Sequence, residues 1–153
     1  ADLEKEVKKI KYNQIGSKAA NLTVENFDGL KVSLYNTQAD FILLYFFEPN
    51  CGHCKKETPK LHNTVYQKYK DKNFEVFAFY TQTDKEEWTK FITEHKLYDW
   101  MNVWDPKRES YFWHFYDTST TPGLYLINKE RKIVAKKIDL QTLDMILEKE
   151  LEK

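Results

Sequence analysis

Phe41-Ile42-Leu43-Leu44-Tyr45-Phe46-Phe47-Glu48-Pro49-Asn50-Cys51-Gly52-His53-Cys54-Lys55-Lys56-Glu57-Thr58-Pro59 is the stretch whose reading decides the fold. Its first seven residues are apolar or aromatic without a break, the pattern of a strand buried on both faces. Beyond it, Leu61, Val65 and Tyr69 recur every four residues, the spacing of one helix face. Cys51-Gly52-His53-Cys54 holds the chain's two cysteines and falls where a central strand hands over to a helix.

That helix is expected to run to about Lys70, with a kink at Pro59. Upstream, Leu22–Glu25 and Lys31–Leu34 are short β-prone runs flanking Asp28-Gly29, which signals a hairpin. Residues 1–12 are charged, with Leu3, Val7 and Ile10 at helical spacing. Residues 1–15 therefore read as a helical extension or the end of a linker, and 16–153 as one domain. Downstream, Phe74–Tyr80 is a second buried strand. Thr83-Asp84-Lys85-Glu86 fits a capping box ahead of a helix face made by Trp88, Phe91 and Ile92. Met101–Trp104 reads as a short strand, and Asp105-Pro106 as an N-cap with proline at the first helical position. The helix expected there contains the run Tyr111–Tyr116, whose members cannot all face one side. Most are assigned to the core and one or two to a substrate-facing wall. Gly123–Ile127 and Ile133–Ile138 pair around a turn near Asn128–Arg131, and a last helix begins near Leu140. The alternation predicts an α/β domain, a sheet with helices on both faces and an N-terminal hairpin.

Composition narrows the function. The 153 residues carry 24 basic and 24 acidic side chains, for a net charge of zero, and no basic stripe, which argues against nucleic-acid binding. No apolar segment reaches the length of a membrane span. Ala1-Asp2-Leu3-Glu4 lacks the apolar core of a signal peptide, so the protein is either cytosolic or has lost a leader. Two cysteines this close cannot staple a loop-rich fold, which leaves redox chemistry, metal binding or packing. A closed zinc site needs two further ligands, and His53, lying between the cysteines, is badly placed to bind the same ion; no metal is expected.

Cysteines at i and i+3 in a first helical turn suit thiol–disulfide exchange. Cys51 would sit at the helix N-terminus, where free N–H groups and the helix dipole stabilise a thiolate. Cys54 lies one turn deeper. Cys51 is therefore assigned as the attacking nucleophile and Cys54 as the resolving thiol. His53 is expected to donate to the Cys51 thiolate, or to carry positive charge near it. His62, His95 and His114 are treated as incidental.

The strand, the Cys-x-x-C, Pro59 five residues after the second cysteine and Thr121-Pro122 ahead of a strand together resemble the thioredoxin superfamily. The resemblance is nearest to exported thiol–disulfide oxidoreductases of the TlpA/ResA type and spans the chain from about Gly16 onward. It departs at Asn50, where many relatives carry Trp, and at Tyr45, where thioredoxin buries an Asp. The resemblance implies a thioredoxin-like fold with a central mixed sheet, an active-site role for Glu57, and a cis Thr121–Pro122 bond that docks an extended substrate. It also implies extracytoplasmic, periplasmic action, with tethering to the membrane in the full-length protein, protein disulfides as substrates and a separate thiol electron donor. No cofactor beyond the cysteine pair is expected. Disulfide isomerase shares Cys-Gly-His-Cys and sits at roughly −180 mV, whereas thioredoxin sits at roughly −270 mV; an intermediate potential with reductase function is expected. The alternatives are a non-catalytic thioredoxin-like binding module and a thiol peroxidase acting through Cys51.

Overall fold

The computed structural model describes residues 13–151; the amphipathic helix expected in 1–12 lies outside the described residues. A seven-stranded sheet has the order β2-β1-β5-β4-β3-β6-β7. Its strands are β1 (Thr23–Asn26), β2 (Lys31–Ser33), β3 (Phe41–Phe47), β4 (Phe74–Tyr80), β5 (Met101–Trp104), β6 (Gly123–Ile127) and β7 (Ile133–Lys136). β3 runs parallel to β4, with Phe41 opposite Phe74 and Phe47 opposite Tyr80. On its other side it is antiparallel to β6, with Tyr45 opposite Leu124. A strand paired on both edges and covered on both faces has no polar side to show, which explains its unbroken apolar run.

The period of two splits β3 between two cores. Leu43, Tyr45 and Phe47 pack with Leu61, Val65, Trp88, Phe91, Leu143 and Leu147 from the covering helices. Ile42, Leu44 and Phe46 pack on the opposite face with Leu22, Leu34, Phe112 and Tyr116. The helices are α1 (Gly52–Leu61), α2 (Gln67–Tyr69), α3 (Lys85–His95), α4 (Phe112–Phe115) and α5 (Leu140–Leu151). Pro59 lies inside α1, and a π-helical turn over His62–Tyr66 joins α1 to α2. There His62 is buried, with Nε2 2.7 Å from Asp99 Oδ1.

Three expectations are corrected. The cap of α3 is Asp84, whose carboxylate accepts from the Glu87 N–H at 3.3 Å; the residue nearer the first turn displaced Thr83. No helix begins at Pro106. Asp105 is buried and spends its carboxylate on the Glu109 N–H, the Ser110 N–H and the Ser110 hydroxyl, which folds the segment into a loop. Helix is confined to Phe112–Phe115, so Phe112 and Tyr116 enter the core while Tyr111 is exposed. Third, β7 ends at Lys136 because Lys137 adopts φ +53°, which turns the chain toward α5. Gly16 has φ +93° and donates its N–H to Ile133 O at 2.7 Å, tying the N-terminal segment to β7.

Glu75 on β4 is half-buried, and burial pushes its carboxyl up to about 7, with Asp99 adding to the rise. A raised carboxyl means that the folded state holds the proton more tightly than the unfolded chain. The stability this contributes is complete below the ordinary value of 4.5 and is lost as pH rises through about 7. Glu75→Gln is therefore expected to be more stable than wild type at pH 8 by about 2–3 kcal/mol. The gap should close below about pH 4.5. Urea unfolding at both pH values checks it; a constant offset would mean that Glu75 is not buried as described.

Candidate active site

Cys51 is the N-cap of α1, with extended backbone (φ −83°, ψ 124°). The chain leaves β3 through Glu48-Pro49-Asn50 and turns into the helix there, so the half-buried Sγ sits among the first free N–H groups of α1. Sγ accepts from the Cys54 N–H at 3.3 Å and, as a thiol, donates to Thr121 O at 3.0 Å. Burial raises the Cys51 thiol, but it is outweighed by hydrogen bonding with the side chains of Thr121 and Cys54 and with the backbone of Cys54 and His53. The net result lies below the ordinary 9.0. Cys54, one turn in, is fully buried against Tyr45 and Leu61. Burial pushes its thiol up to about 12, with the backbone of Glu48 opposing and the neighbouring Cys51 adding to the rise. Both thiols are free. Two cysteines three residues apart thus differ in depth and in acidity.

The Thr121–Pro122 bond is cis, and Thr121 meets Cys51 across 70 residues of sequence. His53 is exposed, and what it brings to the Cys51 thiolate is its backbone N–H. This sets the expectation for His53→Pro. Proline removes that N–H, so the Cys51 thiol should rise and the potential of the pair should fall by at least about 30 mV. His53→Ala, which keeps the N–H, should leave both near wild type. Equilibration with glutathione and thiolate absorbance against pH distinguish the two; equal shifts would assign the effect to the imidazole.

Glu57 is half-buried on α1, three residues past Cys54, and lines the same groove as His53 and Pro122. Asn50 donates to Glu87 Oε2 at 2.8 Å, which ties the approach to Cys51 to α3. Beneath the site, Tyr45 and Thr58 are both fully buried and share a hydrogen bond of 2.8 Å. This hydroxyl pair escaped sequence reasoning. The one available signal was a threonine four residues after Cys54, on its helix face. Asp117, Lys137 and Asp139 also line the groove and were missed, because the fold brings them there from the far side of β6 and β7. Among the described residues no cluster of three His, Cys, Asp or Glu side chains is placed to hold a metal, and no helix is long and apolar enough to cross a membrane.

The parallel β3–β4 pair, the antiparallel β6–β7 pair and a dithiol at the head of α1 define a thioredoxin-like protein. The chain belongs to the AhpC/TSA family, which its residues 15–136 match. It is similar to the thiol-disulfide oxidoreductase ResA of a Bacillus cereus strain, at 31% identity over 133 residues, 87% of this chain and 75% of that one. Against ResA of Bacillus subtilis (strain 168) the identity is 29% over 131 residues, 86% of this chain and 71% of that one. A domain of a possible thiol-disulfide isomerase from Cytophaga hutchinsonii superposes with a TM-score of 0.82 at 38% identity, covering 89% of this chain and 92% of the other. The thioredoxin domain of a thiol-disulfide oxidoreductase from Bacteroides vulgatus gives 0.81 at 32%, covering 90% and 98%.

Proposed function

We propose that this thiol–disulfide oxidoreductase reduces disulfides in protein substrates through Cys51 and Cys54. The observation that carries the reading is the asymmetry of the pair: Cys51 is half-buried with its thiol lowered, and Cys54 is fully buried with its thiol pushed up to about 12. The Cys51 thiolate attacks one sulfur of the substrate disulfide. That S–S bond breaks, and the departing substrate sulfur takes a proton. Cys54 then loses its proton and attacks Cys51 Sγ. This releases the second substrate thiol and leaves a Cys51–Cys54 disulfide, so two electrons have passed to the substrate. A separate thiol donor restores the dithiol, and the cycle needs no cofactor beyond the cysteine pair.

The backbone of Thr121, beside Cys51, pairs with the extended substrate chain, and Pro122 lines its groove. Residues 16–153 form the catalytic domain, 1–15 precede it as an extension, and the protein works outside the cytoplasm, a placement supported by its likeness to exported oxidoreductases. Cys54 cannot attack until something takes its proton, and Glu57 is the carboxylate on its helix face.

Turnover of insulin disulfides with dithiothreitol as donor tests the function; no reduction by the folded protein would favour a binding module. In rapid mixing, Glu57→Gln should slow resolution of the mixed disulfide and leave the first attack near wild type. Equal rates for both steps in both proteins would return Glu57 to the solvated surface.

A further inference from the structure

A groove of about 500 Å³ opens beside the dithiol, between the start of α1 and the Lys137–Asp139 turn into α5. Pro122, Leu124 and Ile138 supply its apolar lining, and His53 links it to the cysteine motif. Its charges are unbalanced. Asp117 and Lys137 pair at 3.7 Å, which leaves the carboxylates of Glu57 and Asp139 without a lysine or arginine of their own among the described residues that line the groove. Asp139 accepts the Thr142 N–H at 2.8 Å at the head of α5, which favours its ionised form. The hollow beyond these two carboxylates is closer to balance, with Lys60 and a Lys68–Asp144 pair.

Distance selects which part of a substrate meets this charge. Glu57 is six residues along α1 from Cys51, or about 9 Å at roughly 1.5 Å per residue. An extended chain advances about 3.3 Å per residue, so a side chain two or three positions from the attacked cysteine reaches the groove. Building on the disulfide-reductase reading, we infer that the groove selects polypeptide disulfides carrying Lys or Arg two or three residues from the attacked cysteine. The aliphatic stem lies on Pro122, Leu124 and Ile138, and the cationic head faces Glu57 and Asp139. An anionic partner such as oxidised glutathione is disfavoured by the same field.

The test uses three disulfide peptides identical except for Lys, Gln or Glu at the third position from the cysteine. Their kcat/KM values are measured with the full chain at low and high salt. The expected order is Lys, then Gln, then Glu, with about tenfold between the extremes at low salt. In 1 M salt, where the screening length is about 3 Å, the spread should collapse. Two variants move the ratio in opposite directions. Asp139→Asn keeps a residue suited to capping but removes a charge, so the Lys-to-Glu ratio should fall. Lys137→Gln takes the one lysine among the described lining residues out of the groove, so the ratio should rise. A purely structural effect of either substitution would change all three peptides alike. Equal rates for the three peptides, or a ratio insensitive to both variants, overturns the inference while leaving disulfide reduction in place. Failure to reduce any of the three overturns the reductase reading and this inference with it.

Discussion

Cys51→Ser is expected to abolish disulfide reduction and leave the fold intact. Serine is among the best helix N-caps, so its hydroxyl can take over the bond from the Cys54 N–H that Cys51 Sγ now accepts at 3.3 Å. α1 therefore loses nothing at its start. What disappears is the nucleophile, since a hydroxyl among the same backbone N–H groups stays protonated where the thiol ionises. Thermal unfolding at or above wild type together with no turnover of insulin disulfides is the expected pair of results. Retained turnover would remove Cys51 from the centre of the mechanism.

Cys54→Ala is expected to separate the two halves of the reaction. The Cys54 N–H that supports the Cys51 thiolate belongs to the backbone and survives the substitution, so the first attack should proceed. The resolving sulfur is gone, and the protein should accumulate as a mixed disulfide with its substrate, visible on non-reducing gels and by intact mass. Deleting a fully buried Sγ costs about 1 kcal/mol of stability, too little to unfold the domain. If Cys54→Ala trapped nothing and Cys51→Ser trapped substrate, the roles would be exchanged.

The parts of the fold legible in the sequence were those written in short-range periodicity. The unbroken run Phe41–Phe47, the hairpin around Asp28-Gly29 and the helix after Cys51 each express one dominant local preference, and the structure keeps them. The segment from Asp105 to Tyr111 was misread because a buried side chain decided it. An Asp followed by Pro suits a helix start, yet three donors from Glu109 and Ser110 hold the Asp105 carboxylate in a loop. The difference in depth between Cys51 and Cys54 was legible from their i, i+3 spacing at a helix start. Nothing local announced the groove. Asp117 and Asp139 read as ordinary loop and cap residues, and it is the pairing of β3 with β6 and β6 with β7 that carries them to Glu57. Tyr45 is the reverse case. Its position in a buried strand was plain, whereas its bond to Thr58 required α1 to be docked on the sheet.

The account rests on unequal thiols, and the most direct measurement of that is iodoacetamide labelling of the reduced protein as a function of pH. Each cysteine is quantified separately by mass spectrometry after a brief pulse. Cys51 should label first, along a titration curve whose midpoint lies below 9.0, and Cys54 should stay unlabelled until the pH approaches about 12 or the protein unfolds. Labelling of Cys54 ahead of Cys51, or of both along one curve near 9.0, would contradict the assignment of attacking and resolving thiols.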